Sequence, residues 1–101
     1  MSDLHDVVNR SADAADLHAP VPALLLELQT QLGILSSTVT RSTHRGRGPF
    51  RPDNEWTLSV GELAFYVYVL ADQSGVDLNA VVPVVAAQLA TRQQAADELA
   101  F

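Results

Sequence analysis

Ser59-Val60-Gly61-Glu62-Leu63-Ala64-Phe65-Tyr66-Val67-Tyr68-Val69-Leu70-Ala71-Asp72-Gln73-Ser74-Gly75 is the stretch that decides the fold. Its centre, Phe65 to Val69, has the β-branched and aromatic make-up of a strand. Three features outweigh that propensity. The apolar run from Leu63 to Ala71 outlasts a typical strand. Ser59 and Glu62 have the spacing of a capping box, and Gly75 supplies a C-terminal stop. The stretch therefore predicts a helix over 58–74. A helix that is apolar on nearly every side has no face to give to water and must be surrounded. Four helices in one small monomer rarely enclose one of their own, so a homodimer is expected, with Leu63, Tyr66, Val67 and Leu70 at or near its two-fold contact.

Moving toward the N-terminus, Arg41 to Pro52 contains Gly46, Gly48, Pro49 and Pro52 and reads as an irregular connection. Before it, Val21, Leu25, Leu28, Leu32, Leu35 and Val39 alternate steps of three and four, which predicts a helix over 22–40 with a heptad-like seam for another helix. Gly33 costs such a helix about 1 kcal/mol relative to Ala, so it is expected to permit a close helix approach. Pro22 suits the first turn. Leu4, Val7, Val8, Ala12 and Ala15 form the apolar stripe of a first helix over 3–17, with Ser2 as its expected N-cap. After Gly75, Asp77 can cap a last helix over 78–100, with Leu78, Val81, Val82, Val85, Leu89 and Ala96 inward and a kink or short turn expected at Pro83.

Length and composition narrow the possibilities. A chain of 101 residues suits one domain. It has no cysteine, which excludes disulfides and thiolate metal sites. The N-terminus lacks a secretory signal pattern, and the nine apolar residues from Leu63 to Ala71 fall short of the roughly 20 that span a bilayer. A soluble, cytoplasmic protein without a membrane partner is expected. The net charge of −6 argues against general nucleic-acid binding. All six basic residues are arginine, and Arg41, Arg45, Arg47 and Arg51 fall close together. They are the candidate phosphate-binding residues of an otherwise acidic chain, or else a solvated loop.

Two stretches carry a resemblance. Gln31-Leu32-Gly33-Ile34-Leu35 and Glu62 to Asp72 with Gly75-Val76-Asp77-Leu78 resemble the paired helices of the MazG-like all-α nucleoside-triphosphate pyrophosphohydrolases. The similarity covers roughly residues 21–92. That family carries Glu-Glu-x-x-Glu on one helix and Glu-x-x-Asp on the next, and its members hold Mg²⁺ against a triphosphate while water attacks the α-phosphate. Residues three and four apart share a helix face, so such motifs project oxygens into one cleft. Here Thr30, Gln31 and Ile34 stand where three glutamates would be, and Phe65 replaces the aspartate. Only Glu62 remains of five carboxylates, as a remnant metal ligand or as a capping residue reaching back to Ser59.

The resemblance implies an all-α, four-helix MazG-like bundle completed by dimerisation. It also implies a protein that has lost pyrophosphohydrolase activity and acts by binding or assembly, with a nucleotide or other phosphate as a possible ligand. Thr30, Gln31, Ile34, Glu62 and Phe65 are then expected around one pocket too apolar for a divalent cation. No catalytic residue or cofactor is assigned. Two alternatives stay open: an active enzyme using Mg²⁺ and ligands such as Glu27, Asp72 or Glu55, and a structural subunit of a larger complex. His5, His18 and His44 lack metal-ligand spacing and read as surface residues. Ser36, Ser37 and Thr38 read as partners of helix-end backbone groups. Trp56 is expected to pack its loop onto the bundle.

Overall fold

A computed structural model describes residues 4–15 and 19–99. Four helices follow in order: α1 Leu4–Ala15, α2 Val21–Ser42, α3 Asn54–Ser74 and α4 Leu78–Leu99. No strand occurs among the described residues. The all-helical expectation holds, including the helix through Phe65 to Val69. The proposed cap at Ser2 and the residue His18 lie outside the described residues.

Helix ends differ from expectation where a cap was misassigned. α3 begins at Asn54, four residues earlier than predicted, because Asp53 is its N-cap: the carboxylate Oδ1 accepts the Trp56 N–H at 2.9 Å. Ser59 and Glu62 therefore lie inside the helix, and they do not form a capping box. The other end is as expected. Gly75 takes the left-handed conformation (φ 72°), and the Val76 N–H closes on the Ala71 carbonyl at 2.8 Å. Asp77 caps α4, accepting the Asn79 N–H on its side chain at 3.0 Å. α4 continues through Pro83 as one helix, with no separate turn.

The core forms where α1, α2 and α3 meet. Val8 and Ala12 of α1, Leu24 of α2 and Val69 of α3 are buried together, with Ala19, Phe65, Tyr66, Tyr68 and Leu70 packed around them. Leu24 and Val69 are the largest fully buried side chains, each contributing about 1.5–3 kcal/mol by removal from water. α2 buries Leu24, Gln31, Leu35 and Thr38. That stripe is rotated by about one residue from the predicted seam, so Leu25 and Leu32 remain 48% and 57% exposed. The rotation follows from α2 being apolar over more than one face: two adjacent stripes compete, and α3 takes one.

α4 is the main departure. α3 and α4 bend by 109° at the intervening turn, and α4 buries none of its described residues. Val81, Val82, Val85 and Leu89, predicted inward, are exposed, and Leu78 is half-buried. No single helix is long and apolar enough to cross a membrane. A compact chain of this length has a radius of gyration of about 13 Å, whereas this one has 17.1 Å. The bundle is thus not closed within one chain.

Gly33 does not serve a close approach, because a Cβ built there meets nothing within 4 Å. Gly33→Ala should raise stability by about 0.5–1 kcal/mol through helix propensity and a stiffer unfolded chain. Denaturant unfolding of the purified chain tests this; a loss of stability would mean that something packs on Gly33 in solution.

Candidate functional site

Glu27 and Gln31 stand four residues apart on α2, and Glu62 and Tyr66 stand four residues apart on α3. Gln31 is buried, and its Nε2 donates to Glu27 Oε1 at 3.1 Å. Such a bond satisfies a side-chain amide that would otherwise be costly to bury. Tyr66 is half-buried on the opposing helix. Burial pushes its phenol above the ordinary value, and the charges of Glu27 and then Glu62 push it further. Both carboxylates therefore act on the same phenol. Glu62 is exposed.

The other positions of the expected ligand set are dispersed. The Thr30 hydroxyl donates to the Leu26 carbonyl at 3.1 Å. Ile34 is 45% exposed, and Phe65 packs against the core formed by Val8, Ala12, Leu24 and Val69. These side chains turn toward solvent, their own helix or the core, and the expected common pocket of all five residues does not form. Physically, Thr30 and Ile34 flank the buried position Gln31, so they lie to the side of the contact with α3.

These residues do not fit a magnesium ion, which takes about six hard oxygens in octahedral array. Among the described residues, no group of three or more His, Asp or Glu side chains could hold a metal. Asp72 and Glu55 do not complete a set with Glu62. Glu55 lies in the first turn of α3 and Asp72 near its last, about 25 Å away along the axis at 1.5 Å per residue. Asp72 instead lines a cavity of about 340 Å³ with His5, Ala71, Gly75, Val76 and Asp77.

The arginine segment is more ordered than an irregular loop. Arg41 belongs to the last turn of α2. Residues 43–48 then form a tight turn with three successive positive φ values, His44 (51°), Arg45 (62°) and Gly46 (85°). Buried Thr43 organises it: its hydroxyl donates to the Val39 carbonyl at 2.7 Å and accepts the Gly46 N–H at 3.0 Å. The N–H groups of Thr43, His44, Arg45, Arg47 and Gly48 all bond to nearby carbonyls. No backbone nest is left for an anion, and a phosphate here would meet guanidinium groups alone. Arg41, Arg45, Arg47 and Arg51 are all exposed.

Further expectations change. His5 is not a surface residue: its side chain is 18% exposed, its Nε2 accepts the Leu78 N–H at 2.8 Å, and its ring meets Tyr68 edge-on at 4.9 Å. Nothing local in the sequence signals this contact, because its partners lie some seventy positions away. The hydroxyls of Ser36 and Thr38 donate to the Leu32 and Ile34 carbonyls within α2, not to a helix end. Trp56 packs edge-on against Phe50 at 4.8 Å, closing the connection onto α2 as expected.

Comparison with known protein families, with curated proteins and with solved structures gives no match.

In a Tyr68→Phe background, where Tyr66 is the single phenol, Glu27→Gln and Glu62→Gln should each lower the Tyr66 midpoint, Glu27→Gln by more. Ultraviolet titration reads this directly. A raised folded value means that Tyr66 contributes stability fully below its ordinary pKa of about 10, which is lost as pH rises through the folded value.

Proposed function

We propose that this chain is a MazG-like homodimer that has lost nucleotide pyrophosphohydrolase activity and acts by binding or assembly in the cytoplasm. The carrying observation is on α2, where a buried glutamine amide and an exposed isoleucine stand in place of acidic ligands. Neutral amide and hydroxyl oxygens are poor substitutes for carboxylates on a hard cation. Leu63 and Val67 lie on the incompletely covered side of α3, and Tyr66 and Leu70 pack partly against the core. These four remain the proposed two-fold contact.

Incubation with nucleoside triphosphates and Mg²⁺ or Mn²⁺ should release no pyrophosphate above a protein-free control. Turnover abolished by Glu62→Gln would overturn this function.

The retained binding capacity would rest on the exposed guanidinium groups of Arg41, Arg45, Arg47 and Arg51, which suit bidentate contact with phosphate. Calorimetry with a nucleotide should show binding that weakens with added salt. Paired Arg41→Ala and Arg45→Ala changes should cost roughly tenfold or more in affinity, at about 1.5–3 kcal/mol per hydrogen bond to a charged group. No heat with any nucleotide removes the ligand and leaves assembly alone.

A second function, an active hydrolase with a rearranged site, would draw on Glu27 and Glu62, whose charges both act on the Tyr66 phenol. In that case Glu27→Gln would abolish pyrophosphate release as fully as Glu62→Gln.

A further inference from the structure

Among the described residues, two apolar helix stripes remain largely exposed, apart from Leu35, which is buried within the chain. The first runs along α2, where Leu25 and Leu32 are exposed and where Leu32, Leu35, Ser36, Val39 and Trp56 line a groove of about 380 Å³. The second runs along α4, where Val81, Val85 and Leu89 follow one another at four-residue spacing and Val82 and Val84 flank them, all exposed. Each stripe has the width that a neighbouring helix covers. They do not cover each other within the chain, because α4 leaves α3 at 109°.

We infer that α4 docks into the α2 groove of a second copy of this chain, so that two protomers exchange their last helices. The surface area supports a second copy as the occupant. A compact monomer of 10.9 kDa exposes about 5,600 Å². This chain exposes 7475 Å², roughly 1,900 Å² more than that scaling gives. Obligate dimers bury about 2,000–5,000 Å² shared between both partners, so an excess of this size on each chain matches one such interface. Isolated two-fold exchange also satisfies both stripes at once, each protomer giving one helix and receiving one. The exchange rests on the homodimer proposed above and adds a contact to it that α3 does not make.

Trp56, the chain's single tryptophan, lines the groove and reports its occupancy without any substitution. On dilution through the dimer-to-monomer transition, its emission should shift to the red as the groove meets water. Leu32→Glu and Val85→Glu, both at exposed positions, should each give a monomeric mass in sedimentation with helicity by circular dichroism unchanged. Val67→Glu tests the α3 contact separately. Dimers that persist in Leu32→Glu and Val85→Glu, or that dissociate without a change in Trp56 emission, overturn the exchange while leaving a homodimer standing. A wild-type chain that is monomeric at micromolar concentration overturns both. Wild-type flotation with phosphatidylcholine vesicles that Val85→Glu abolishes would give α4 a lipid partner and overturn the exchange too.

Discussion

Val69 has no exposed surface, and the three packed helices are arranged around it. It faces Val8 and Ala12 from α1 and Leu24 from α2, so it couples the first helix to the second through the third. The side chains at this junction are small, and the core they make is small. Among the described residues, one cluster of four buried side chains anchors three helices, and α4 buries none of its own. A core this modest gains stability in proportion to the apolar area it removes from water. Further apolar side chains on α2, α3 and α4 stay exposed on the single chain.

How far the sequence could be read depended on whether a signal was local. The helix through Phe65 to Val69 was legible because its length and its Gly75 stop outweighed strand propensity, and Gly75 does adopt the left-handed turn. The start of that helix was misread. Both Asp53 and Ser59 are credible caps by composition, and only the position of the Trp56 N–H distinguishes them. On α2 the apolar content was evident and the buried stripe was not. Leu24 and Leu25, or Gln31 and Leu32, are neighbours in sequence about 100° apart on the helix, and the choice between them belongs to α3. Burial of Gln31 illustrates the limit: an amide at a contact position becomes tolerable because Glu27, one turn back, accepts its hydrogen.

The candidate site was partly legible for the same reason. The replacement of acidic residues at Thr30, Gln31, Ile34 and Phe65 is plain in the sequence, but their separation into solvent, helix and core follows from the rotation of α2. What the contact does assemble is a phenol with two carboxylates near it. A neutral Tyr66 is favoured there, and its proton is held more tightly for being half-buried beside negative charge. In the turn after α2, the left-handed run at His44 and Arg45 is held by Thr43, whose hydroxyl both donates and accepts. That turn presents its arginines outward while using up its own amides.

The imidazole of His5 has one lone pair available to the first amide of α4, and Leu78 occupies it. Tyr68 borders the ring, and the Asp77 carboxylate stands 3.7 Å from the same nitrogen. The first amide of the last helix is thereby anchored to one side chain near the start of the chain, so the two ends of the fold are tied together at this joint.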